Sequence, residues 1–104
     1  MGKYVLTYRG GAMAKTEAEQ KAQMEKWMHW FGGLGSSVVD AGGPFGHSRT
    51  ISSSGSKADG GSAGLTGYSI LEAGDLAEAV RKTKGCPVLD SGGSVEVYES
   101  MPMR

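Results

Sequence analysis

The chain has 104 residues with one cysteine, and its eleven basic and eleven acidic side chains give a formal net charge of zero and a pI near 6.7. That balance leaves no electrostatic footprint for nucleic acid or an anionic membrane, and Cys86 alone can form neither an intrachain disulfide nor a thiolate metal site. A chain this long is expected to fold as a single domain, 1–104, burying about 65% of the surface its unfolded form exposes, a margin that a partner chain would improve. No apolar stretch approaches the roughly eighteen residues of a membrane span, and the start lacks a basic segment followed by an apolar run, so a cytoplasmic protein is expected.

Lys3 to Arg9 reads as a strand, with Tyr4, Leu6 and Tyr8 directed one way and Val5 and Thr7 the other. Gly10-Gly11 ends it. Thr16 with Glu19 forms a capping box, and Met24, Trp27, Met28, Phe31 and Leu34 follow at helical spacing as one apolar stripe. Trp30 flanks that stripe and is expected to be half buried, and His29 lies well off it as a solvated residue. Gly32, Gly33 and Gly35 are expected to close this long helix, and Ser37 to Ala41 to form the next strand.

From Gly42 to Gly64 the composition changes, and nine of the fourteen residues between Ile51 and Gly64 are Gly or Ser, which predicts a loop. Gly67 to Ala73 then carries bulky residues on both faces, as a strand covered on both sides requires. Asp75 and Glu78 box the start of a short helix bearing Leu76, Ala79, Val80 and Thr83. Lys82 and Lys84 suit its last turn, Gly85 suits a left-handed C′ position, and Pro87 stops it. After Asp90-Ser91-Gly92-Gly93, the alternation Val95-Glu96-Val97-Tyr98-Glu99 predicts a final strand, followed by a tail from Ser100 to Arg104.

Strand, helix, strand, loop, strand, helix, strand predicts an α+β domain of ferredoxin-like (split βαβ) type, with both helices on one face of an antiparallel sheet. The other face needs a cover, and a second copy of the chain is the simplest one, so a homodimer is expected.

Motif spacing removes several chemistries. Gly60 to Gly64 matches G-x-S-x-G, yet both histidines precede it, whereas a nucleophile elbow has its His later in the chain. Gly55-Ser56-Lys57 lacks the spacing of a phosphate loop, and His29, His47, Asp40 and Asp59 have no metal-ligand spacing, so neither metal nor cofactor is expected. What remains is Asp40 to Arg49, leaving the end of a strand. There Asp40, His47 and Arg49 bring a carboxylate, a group titrating near neutral pH and a fixed cation into one neighbourhood suited to a small polar ligand. A plain solvated turn is the equal alternative.

Several segments together resemble the YCII-related family, including its DGPF branch. They are Lys3 to Leu6, Trp27-Met28-His29-Trp30 leading to Leu34-Gly35, Val39 to Pro44, Gly67 to Ala73, Lys84 to Pro87 and Val95 to Glu99, in this order and spacing. The resemblance implies a ferredoxin-like protomer pairing into a dimeric α/β barrel, and it implies no established reaction. Members of the bacterial YCII type carry a His on the first helix and an Asp near the end of the second, suggested as an acid/base pair. Those positions fall near Lys26 and near Gly85-Cys86 here, so neither residue is in place.

Two functions are therefore expected as alternatives. One is binding or transformation of a small polar metabolite in a cleft, with His47 as general base and Asp40, Arg49, Tyr8 and Trp27 around the ligand. The other is a non-catalytic ligand-binding or protein-interaction module.

Overall fold

The computed structural model describes residues 2–10, 15–46, 48–58 and 64–101, with the backbone path alone for 56–58. Strand β1 (Gly2–Arg9) leads into helix α1 (Glu17–Leu34), strand β2 (Val38–Pro44), the short strands β3 (Arg49–Ser52) and β4 (Gly55–Ala58), strand β5 (Leu65–Ala73), helix α2 (Leu76–Thr83) and strand β6 (Ser94–Glu99). One antiparallel sheet has the order β2-β5-β1-β6, and β3 pairs with β4 as a separate hairpin. The four-stranded antiparallel sheet with its two helices is compatible with a ferredoxin-like fold.

Alternation sorts the side chains by face. Tyr4, Leu6 and Tyr8 of β1, with Leu71 and Ala73 of β5, are buried on the helix side, where Trp27, Trp30 and Leu34 of α1, Ala79 of α2, and Cys86 and Val88 close over them. A 3-10 turn over Pro87–Ser91 carries Val88 into this core. Because α2 is only eight residues long, that turn covers the end of the sheet that the helix does not reach.

Both helices begin as their capping residues dictate. The Glu19 amide donates to Thr16 Oγ1 at 3.1 Å and the Glu78 amide to Asp75 Oδ1 at 2.8 Å. In each case the glutamate carboxylate reaches back to the residue before the cap, to the amide of Lys15 at 2.7 Å or of Gly74 at 3.3 Å.

Four sequence expectations change. The helix runs through Gly32 and Gly33 to Leu34 and is capped by Gly35 alone, whose φ is +56° and whose amide donates to the Phe31 carbonyl. Gly85 does not adopt a positive φ, and its smallness serves packing instead, since a Cβ there would meet the Trp30 ring at 3.3 Å. Trp30 belongs to the core seam, its Nε1 donating to the Lys82 carbonyl at 3.2 Å. That bond turns Met24 and Met28, about 60° and 100° around the helix from Trp27, to the flank, where they are 63% and 66% exposed. Finally, the expected Gly/Ser loop contains the β3–β4 hairpin, because a backbone ladder needs no apolar side chains; residues 59–63 lie outside the described residues.

Among the described residues no helix is long and apolar enough to cross a membrane.

The seam assignment separates residues that the sequence alone treats alike. Met28→Lys is expected to change unfolding free energy by less than about 0.5 kcal/mol, whereas Trp27→Ala costs about 2 kcal/mol or more. Urea unfolding followed by circular dichroism checks it, and equal losses for both variants would contradict the seam.

Candidate functional site

The edge strand β2 departs from regular pairing next to the segment singled out in the sequence. Val38 lies opposite Leu71, Asp40 opposite Ile70, Gly43 opposite Tyr68 and Pro44 opposite Gly67, with register shifts on both sides of Asp40. The bulge depends on Gly42, whose φ is +70° and where a Cβ would sit 1.9 Å from the Tyr68 carbonyl oxygen. No other residue type fits that position.

Asp40 is held from two sides. Its Oδ1 accepts from the Gly42 amide at 2.8 Å and its Oδ2 from the Tyr68 hydroxyl at 3.2 Å. The acceptor carboxylate raises the Tyr68 phenol above its ordinary pKa and keeps it a proton donor. Phe45, anchored by its amide to the Thr66 carbonyl at 2.9 Å, stacks on the Tyr68 ring at 5.8 Å between centroids with planes 19° apart. The result is an exposed carboxylate beside an aromatic pair, on the sheet face away from the helices.

Tyr8 and Trp27 are brought together, their rings edge to face at 5.0 Å, but on the helix side. The sheet separates them from Asp40, so the expected single neighbourhood is divided. Buried hydroxyls cross that division: Tyr8 donates to Ser69 Oγ at 2.7 Å, and Ser69 donates to the Ala41 carbonyl in the bulge, also at 2.7 Å. Burial pushes the Tyr8 phenol well above its usual range, and burial also pushes the neighbouring Cys86 thiol up to about 11. Both groups are neutral at physiological pH and serve the core. Arg49 stands at the start of the β3–β4 hairpin, exposed, with no side-chain hydrogen bond or ion pair to Asp40 among the described residues. His47 and Asp59 lie outside the described residues. His29 is exposed on α1, as its wheel position predicts.

A second open-face cluster went unread in the sequence. Glu96 accepts from Arg9 Nε at 2.6 Å and from the Tyr98 hydroxyl at 3.0 Å, and these hydrogen bonds, Arg9 first, hold its carboxyl below the ordinary value. Between the two clusters lie Val5, Ile70 and Thr7, whose Oγ1 is buried without a hydrogen-bond partner among the described residues. The available signal was the period-two pattern of β1, β5 and β6, which puts Arg9, Glu96 and Tyr98 on the face of Tyr68.

No group of three or more His, Cys, Asp or Glu among the described residues is disposed to hold a metal ion. The arrangement is suited to hydrogen bonding and stacking, with Asp40 accepting and Tyr68 donating. Comparison with models of known families, with curated proteins and with solved structures finds no match to this chain.

Two outcomes test this geometry. Gly42→Ala is expected to destabilise the fold by at least about 2 kcal/mol, through left-handed strain and collision with Tyr68. Raising the pH is expected to weaken the fold between about 9 and 11, because the unfolded Cys86 thiol loses its proton near 9 while the buried one holds it to about 11. Below pH 9 that contribution is fully present. Cys86→Ala should flatten the slope in a urea-unfolding series, and an unchanged slope would place the pH dependence elsewhere.

Proposed function

We propose that the protein is a YCII-like ferredoxin-like protomer that binds a small polar molecule at the Asp40, Tyr68 and Phe45 cluster. The observation that carries this reading is the state of Asp40. Each carboxylate oxygen is oriented by one internal donor, while the residue stays exposed and retains lone pairs for an incoming N–H or O–H group. The stacked rings beside it suit a flat or apolar portion of the same molecule. A preformed acceptor with an aromatic wall loses little freedom on binding. The cluster also lies within and beside the Val39 to Pro44 segment that carries the family resemblance. If the bound molecule is transformed, His47, two residues after Phe45, is the proposed base.

In this reading two protomers pair through their open sheet faces as a dimeric α/β barrel, covering Val5 and Ile70 and giving the Thr7 hydroxyl a partner whose lack costs about 1–3 kcal/mol. A non-catalytic interaction module is the second reading, favoured by exposed Val39 and Tyr98 at 44% and 49%.

A thermal-shift screen of polar metabolites tests the first reading, since a ligand at a hundred times its Kd stabilises by about 2.7 kcal/mol. Asp40→Asn and Phe45→Ala should remove the shift and His29→Ala should keep it. A shift surviving both site variants would move the ligand elsewhere. Light scattering coupled to size exclusion tests the pairing: a dimer mass is expected for the parent and a monomer mass for Ile70→Glu, and a monomeric parent at micromolar concentration would rule the barrel out.

A further inference from the structure

The two edges of the sheet are treated unequally. At one edge, β2 carries two register shifts, Gly42 in the left-handed region and Pro44, all of which discourage further pairing. At the other, β6 runs Ser94–Glu99 with regular register against β1 and contains no proline, lysine, glycine or bulge. The Ser100 amide donates to the Lys3 carbonyl at 2.9 Å, so antiparallel alternation directs the amides of Ser94, Glu96 and Tyr98 toward β1. Those of Val95, Val97 and Glu99 point outward from the sheet. This is a straight edge with its hydrogen-bonding groups displayed.

The β3–β4 hairpin has the opposite need. Its two four-residue strands pair with each other and with no other described strand, and Ile51 on it is 81% exposed. An isolated two-stranded hairpin is marginal in water and gains stability from a third strand. Its charge also matches the open edge: residues 49–58 contain two basic residues and no acidic one, whereas β6 contains two acidic residues and no basic one.

We propose that the β3–β4 hairpin of one copy adds to the β6 edge of a second copy, reciprocally about a two-fold axis, so that each four-stranded sheet is extended by its partner's arm. Strand addition supplies backbone hydrogen bonds at Val97 and Glu99, and the Arg49 side brings its charge toward Glu99. The reciprocal exchange closes the assembly at two copies, because each copy has one arm to give and one edge to receive. The inference stands independently of the ligand at Asp40, and the arms add to the pairing of the open faces, which holds the two copies together.

A charge exchange with amide protection as readout tests it in the full-length chain. In the parent at low salt, the Val97 and Glu99 amides are expected to exchange about 100-fold more slowly than those of a free edge. Arg49→Glu alone and Glu99→Lys alone should each lose that protection, since the former sets two acidic side chains against each other at positions 49 and 99 and the latter two basic ones. Mixing the two variants restores complementary contacts at both arms, and protection at Val97 should return. Three results would overturn the proposal: unprotected edge amides in a parent dimer, protection that survives Arg49→Glu, or failure of the mixture to recover. Survival would mean that the edge is covered by another β6 or by a different protein.

Discussion

The constraint on which the rest depends is the buried run of hydroxyls from Tyr8 through Ser69 to the Ala41 carbonyl. The Tyr8 and Ser69 side chains are buried, and an unmade hydrogen bond there costs about 1–3 kcal/mol. They are satisfied only if β2 brings the Ala41 carbonyl over Ser69, which the bulge accomplishes and which only glycine at position 42 permits. The same bulge turns Asp40 to the other face, beside Tyr68. The exposed carboxylate is thus a consequence of how the core disposes of its polar groups. Burial keeps Tyr8 protonated, so the direction of donation along the run is set.

The sheet acts as a partition between two environments. On the helix side, Trp27, Trp30 and Phe31 lean on one another at centroid distances of 5.0–5.8 Å and close over Leu6, Tyr8 and Leu71. Lys82 ties this side together, its carbonyl receiving the Trp30 indole and its ammonium donating to Ser37 Oγ at 2.9 Å where β2 begins. On the open side, each edge of the sheet has a tyrosine and carboxylate pair, Tyr68 of β5 with Asp40 of β2 and Tyr98 with Glu96 of β6, around the apolar Val5 and Ile70. An apolar centre flanked by oriented polar groups is the composition of a surface that meets something, and it contrasts with the aromatic and aliphatic seam under the helices, whose few polar groups are bonded internally.

The hairpin between β2 and β5 shows why composition alone misjudges such segments. Serine and glycine bury little and suggest a loop, yet strand pairing draws on backbone groups that every residue but proline possesses. Its strands satisfy each other, Ser52 opposite Gly55 and Arg49 opposite Ala58, without support from the main sheet. A segment built this way is an arm, available for pairing.

What the sequence determined by itself was local. Thr16 with Glu19 and Asp75 with Glu78 name the helix starts because capping acts across three residues, and Tyr4, Leu6 and Tyr8 name the buried face of β1 because strand side chains alternate every two. The candidate site was legible only as a segment: Asp40 was identified, but its partner Tyr68 and the separation of Tyr8 and Trp27 to the other face were not. Those facts rest on a bulge that shifts the phase of β2, and on contacts between residues 28 and 61 positions apart. Likewise, the choice of Trp30 over Met24 and Met28 for the core followed from one hydrogen bond to Lys82, 52 residues away. Tertiary structure decided these points because the cost of leaving a buried polar group unpaired is charged to the folded chain as a whole, and no local pattern records it.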